Sequence, residues 1–98
     1  MTNSAFLIGR LKETKQEGDK FIVTLICPRT YKNLEGQYDV DYIDVILYND
    51  LKSNVRKYCR ENDLMGIKGR IETEDNKIIL IAEKVTFLST KEKKEELE

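Results

Sequence analysis

The sequence predicts a small all-β domain in which five strands and one short helix make a closed barrel. Three observations lead there. Short runs rich in β-branched and aromatic residues recur between Gly, Asn and Asp turns, as strands do. A single stretch of helical periodicity interrupts them, after the third run. Glycines also sit inside the strand-like runs, at Gly9 and again at Gly66 and Gly69, where they allow the sharp coiling that lets a short sheet close on itself.

The first strand is expected over residues 4–11, with Phe6 and Ile8 alternating with Ala5 and Leu7. A polar turn follows, marked most strongly by Gly18-Asp19. The second strand, 20–30, contains the run from Phe21 to Cys27, apolar on both faces and therefore central. Pro28 lacks an amide hydrogen and belongs at a strand end or open edge. Residues 32–37 form a hairpin turn with Gly36 at a positive φ, and a third strand, 38–48, returns antiparallel. Two registers remain open for this hairpin. A two-residue Glu35-Gly36 turn sets Arg29 opposite Tyr42, and a bulged three-residue turn shifts every pair by one. Asn49 and Asp50 are N-cap candidates for a helix near 51–60, with Leu51, Val55 and Tyr58 facing the core. The fourth strand is expected over 64–73, a tight turn at Glu74-Asp75-Asn76, and the fifth strand over 77–88. Three strands, a helix and two strands fit a small antiparallel barrel plugged by one helix, the OB-fold plan. Residues 1–88 are the domain, and 89–98, almost wholly Lys and Glu, are a solvated tail.

Composition excludes several functions. With 40% apolar and 36% charged residues, 98 residues suit one folded domain with a modest core. No apolar run approaches the ~20 residues that span a bilayer, and the N-terminus does not read as a secretory signal, so a cytoplasmic protein without membrane contact is expected. Cys27 and Cys59 are expected as buried, reduced thiols. Histidine is absent, which removes the usual general base and the commonest metal ligand. Asp39, Asp41 and Asp44 lie close in sequence, but solvated strand-edge acids explain them better than a divalent-metal nuclease site. The glycines around Lys68 do not match a phosphate-cradling loop before a helix. No enzyme, cofactor or metal is expected. Of 17 basic and 18 acidic side chains, three and four lie in the last ten residues, leaving 14 of each in a neutral body.

The third strand carries the functional signal. Ile43, Val45 and Leu47 make one aliphatic face, while Tyr42, Asp44, Ile46 and Tyr48 share the other, with the two tyrosines roughly 20 Å apart at about 3.3 Å per residue. Rings set along a sheet beside cations form a surface on which unpaired bases stack. Tyr31 adds a third ring, flanked by Arg29 and Lys32 near a turn where the core makes little demand. Tyr38 and Tyr58 are assigned to packing in the hairpin and helix, and Phe6, Phe21 and Phe87 to core or strand packing.

Four ordered stretches then carry a resemblance: Phe6 to Leu11, Arg29 to Lys32, Asp41 to Tyr48, and Ile67 to Ile71, with Leu51, Asn54, Val55, Lys57 and Tyr58 at matching helical spacing. Together they resemble the OB-fold domain of bacterial-type single-stranded DNA-binding proteins over about residues 3–88. The resemblance implies base-stacking at Tyr31, Tyr42 and Tyr48, and phosphate contacts at Arg10, Arg29, Lys32, Lys68 and Arg70. It also implies self-association into dimers or tetramers. Three departures stand out. The long hairpin between the last two strands is cut to Glu74-Asp75-Asn76, the chain is less basic than many DNA-binding modules, and the usual Gly/Pro/Gln-rich tail with an acidic-hydrophobic tip is replaced by Lys91 to Glu98. The last weakens the expectation of replication and repair enzymes as partners.

The expectation is therefore a non-enzymatic, sequence-independent binder of single-stranded DNA in replication, repair or recombination. The alternative is an OB-fold protein-interaction or primosome accessory module that binds nucleic acid weakly.

Overall fold

The structure, a computed structural model, describes residues 2–88; the expected charged tail, and the side chains of Asn49, Asp50 and Tyr58, lie outside what it describes. Its elements are β1 (Ala5–Glu17), β2 (Lys20–Lys32), β3 (Tyr38–Leu47), α1 (Asn49–Tyr58), β4 (Leu64–Glu74) and β5 (Lys77–Phe87). The strands close in the order β1-β2-β3-β5-β4, the five-stranded OB-fold barrel. Closure is not wholly antiparallel as expected. β3 meets β5 in parallel at Ile46↔Ile81, because α1 and β4 intervene before the chain returns beside β3.

Strand alternation fills the barrel. Leu11, Phe21, Val23, Leu25, Val45, Leu47, Met65, Ile67 and Ala82 form the buried core, and Val55 of α1 joins them from one end. Leu51 and Cys59 pack against the same cluster. At two of the three strand glycines, Gly9 and Gly69 but not Gly66, neighbouring backbones approach too closely for a side chain. A β-carbon on Gly69 would lie 2.1 Å from the Ile81 carbonyl oxygen, and one on Gly9 2.7 Å from the Ile26 carbonyl oxygen. Two strands approach so closely there that no side chain fits.

Three local expectations are corrected. β1 runs to Glu17, six residues further, because its polar second half pairs with β2 from Glu13↔Thr24 to Glu17↔Lys20. Hydrogen bonding to a neighbouring strand sustains that extension without apolar alternation. Of the two hairpin registers, the one shifted by a three-residue turn holds only at the tip, where Lys32 faces Tyr38, and neither holds beyond it. Tyr42 faces Ile26, Cys27 faces Asp41, and Lys32 faces Tyr38, with the irregularity between Pro28 and Lys32. Three residues of β2 stand there against one of β3, in a bulge beginning just past Pro28, which has no amide hydrogen for the ladder. Finally, the residue at the N-cap of α1 is Tyr48, which makes no side-chain capping bond, so Asn49 and Asp50 are the first residues of the helix and not its caps. Phe6, assigned to packing, is instead exposed.

Candidate nucleic-acid interface

Tyr38, Val40, Tyr42 and Asp44 of β3 are exposed, as the alternation required, while Ile46 on the same face is buried. Across the sheet, Tyr42 sits opposite Ile26, and Ile26 opposite Arg10, so one row on the outer face carries a ring, an aliphatic side chain and a guanidinium. At about 4.8 Å per strand, Arg10 stands roughly 10 Å from Tyr42 in backbone terms. Arg10 also donates to the Asn62 carbonyl at 3.2 Å, which steadies its side chain. The next row holds Thr24, whose hydroxyl donates to the Asp44 carboxylate at 2.6 Å.

The ring of Tyr42 has a cation over it. Lys12 is the extra residue of a bulge between Leu11 and Glu13, and its Nζ lies 5.3 Å from the Tyr42 ring centroid. Lys32 does not cover Tyr31, its sequence neighbour. It stands opposite Tyr38, with Nζ 5.8 Å from that ring centroid. Tyr31, Tyr42 and Tyr48 are 63%, 59% and 38% exposed, and Tyr38 is 56% exposed.

Arg29 is occupied. Its Nε and a terminal nitrogen donate to the two Asp41 oxygens at 3.2 and 3.0 Å, and Asp39 approaches to 3.8 Å. That fork of hydrogen bonds holds the Arg29 guanidinium even more firmly protonated than usual and lowers Asp41 below the ordinary carboxylate value. Asp39 and Asp41 are thus ion-pair partners, and among the described residues no three His, Cys, Asp or Glu side chains are placed to hold a metal ion. Burial, with a smaller contribution from Asp41, raises the Cys27 thiol, which leaves it protonated and a poor nucleophile. Cys27 and Cys59 are not disulfide-bonded.

The other expected residues are spread around the barrel. Lys68, exposed on β4, stands opposite Phe6 and Lys84. Arg70 stands opposite Ile81 and pairs with Glu72 at 3.1 Å. Tyr48 lies just past β3, at the N-cap of α1, near Lys20, which Glu74 binds at 2.6 Å, and that hydrogen bond raises the Lys20 ammonium. The structure therefore brings Arg10 into the row of Tyr42, and Arg29 within electrostatic reach of Tyr31. It sets Tyr48, Lys68 and Arg70 apart from them.

Sequence reasoning missed Lys12 and Tyr38. Tyr38 shares the parity of Tyr42, a signal that was available. Lys12 reaches Tyr42 only through a bulge that no local residue pattern marks.

Such a surface can hold flat rings and a flexible polyanion together, and comparison with known proteins points the same way. The single-strand binding protein family matches residues 2–87. The chain belongs to that family. Single-stranded DNA-binding protein B of Bacillus subtilis is 33% identical over 81 residues, covering 74% of this chain and 70% of the relative. Single-stranded DNA-binding protein 1 of Staphylococcus aureus (strain Mu50) is 32% identical over 106 aligned residues, covering 93% and 68%. A small single-stranded DNA binding protein from Mycoplasma pneumoniae has the same fold, with a TM-score of 0.72 at 22% identity over 88% of this chain and 93% of that one. So does a Plasmodium falciparum protein of the family in complex with single-stranded DNA, with a TM-score of 0.68 at 18% identity over 90% and 96%. No helix among the described residues is long and apolar enough to cross a membrane.

Proposed function

We propose that this protein binds single-stranded DNA without reading its sequence, and coats unpaired strands during replication, repair or recombination. The observation that carries this reading is Tyr42, exposed on the outer face of β3 with Lys12 over its ring and Arg10 in its row. Every base has a π-face, so stacking grips without discriminating, at roughly 1–3 kcal/mol per base. Tyr31 and Tyr48 are the further stacking rings, and Arg10, Lys32, Lys68 and Arg70 the phosphate-binding set, which Arg29 joins only when Asp41 releases it. Each phosphate contact releases counterions, with a salt slope of about −0.7 for single strands. The protein acts by binding and supplies no catalysis.

The working unit is a homo-oligomer, dimer or tetramer. Phe6, Ile8 and Leu88 are exposed and converge on Gly66, within 3.6–3.9 Å of where its β-carbon would be. A second copy is the occupant such an apolar patch suits. One small barrel covers few nucleotides, so association lengthens the footprint.

Titration with oligo-dT, followed by tyrosine fluorescence, tests the binding. Quenching that saturates with the single strand, and resists competition by a duplex of the same length, is the expected result. Equal competition by the duplex would leave the stacking rings without a role.

A further inference from the structure

We propose that Tyr38 and Lys12 complete a binding line of two lysine-covered tyrosines, Tyr42 with Lys12 and Tyr38 with Lys32, along the outer face of β3. The inference rests on the reading above as a single-strand binder and extends its site by two residues outside the expected set.

Four observations carry it. The irregularity in the β2–β3 pairing lies on β2, so β3 alternates regularly and Tyr38, Val40 and Tyr42 share one face. Both rings are more than half exposed, although burying a tyrosine is favourable and the hairpin offers apolar neighbours. Each ring has a lysine ammonium within 6 Å of its centroid. Among the described residues neither lysine has a carboxylate partner, whereas Arg29, Lys15, Lys20 and Arg70 all do.

The charges sort by face as well. Asp39 and Asp41 alternate to the opposite side from Tyr38 and Tyr42, where they hold Arg29. On the rings' own side stand Asp44, whose carboxylate accepts the Thr24 hydroxyl, and Glu13, opposite Thr24 on β1 in the row beyond Tyr42. A polyanion is drawn to the lysine side and repelled from the other. On arrival, a base replaces the ammonium over the ring and the ammonium moves to a neighbouring phosphate, exchanging a cation–π contact for stacking plus an ion pair. Four residues of strand separate the rings by about 13 Å, or up to four nucleotides at the duplex spacing of about 3.4 Å. That span fits within the footprint of about 4–16 nucleotides per OB-fold.

The test compares Tyr38→Leu, Tyr38→Phe, Lys12→Gln and Tyr42→Leu by oligo-dT titration at several salt concentrations, with circular dichroism to confirm folding. Tyr38→Leu should weaken binding roughly five- to a hundredfold, and Tyr38→Phe should restore it. Lys12→Gln, an exposed change, should reduce the magnitude of the salt slope by about 0.7. If Tyr42→Leu weakens binding while Tyr38→Leu and Lys12→Gln behave as wild type, single-strand binding stands and the extended line is wrong. If wild-type protein does not bind oligo-dT, both readings fall.

Discussion

Gly69 leaves no room for a methyl group. The position its β-carbon would take is 2.1 Å from the Ile81 carbonyl oxygen and 3.0 Å from its carbonyl carbon, both backbone atoms that cannot rotate aside. Gly69→Ala should therefore destabilise the barrel by at least roughly 1–3 kcal/mol in urea unfolding, the usual range for overpacking. A loss of a few tenths would mean that β4 and β5 do not approach so closely. Arg29 is the other residue whose environment decides its behaviour. Asp41→Asn removes the carboxylate that forks onto it, so binding of oligo-dT should tighten and the salt slope steepen by about 0.7 as Arg29 gains a phosphate. Unchanged affinity and slope would show that Arg29 stays off the strand even when released. Stability should change little, since water screens an exposed pair. The sign with pH follows from the lowered Asp41 value. The pair's contribution is complete above the unfolded carboxylate value of 3.8 and is lost as pH falls through the lower folded one. At this scale Tyr42 was legible, because two-residue alternation fixed its face. The Arg29–Asp41 pair was not, because it depends on which residues of two strands stand opposite.

The β2–β3 hairpin shows the same division between elements. Gly36 was read at a positive φ and has one, at 77°. The side chain of Asn33 went unread. Its oxygen accepts the Glu35 and Gln37 amide hydrogens at 2.9 and 3.0 Å, and its amide nitrogen donates to Asp39 at 3.1 Å. One asparagine side chain thus reinforces the backbone bonds of the hairpin tip, from the Asn33 amide to the Gln37 carbonyl and from the Gly36 amide to the Asn33 carbonyl. Asn33→Ala should speed hydrogen exchange at the Glu35 and Gln37 amides roughly five- to tenfold and leave the barrel core amides unchanged. Equal acceleration throughout would mean that the tip folds only with the barrel. Strand order and turn positions were legible because each turn has its own chemistry, as at Asp75 and Asn76, with φ of 52° and 64° joining β4 to β5. The extent of β1 was not, since Lys12 to Glu17 owe their strand form to β2 and not to their own alternation.

Across the whole molecule, neutrality hides a sided surface. A body with 14 cations and 14 anions gains a binding face when carboxylates pair on one side of β3 and lysines sit over rings on the other. The exposed patch of Phe6, Ile8 and Leu88 lies along β1 and β4, and Phe6 was wrongly assigned to packing because a strand that alternates apolar residues on both faces does not say which face a neighbour covers. Ile8→Glu should lower the solution mass to that of a smaller assembly in light scattering, at unchanged secondary structure. A mass equal to that of wild type would move the self-association surface elsewhere. The central claim is that bases lie on exposed tyrosines of β2 and β3, and photo-cross-linking with an oligonucleotide carrying 5-iodouracil tests it most directly. Adducts mapped by mass spectrometry should fall on Tyr42, Tyr38 and Tyr31, with a lesser share at Tyr48. Adducts confined to α1 or to the β4–β5 hairpin would contradict it.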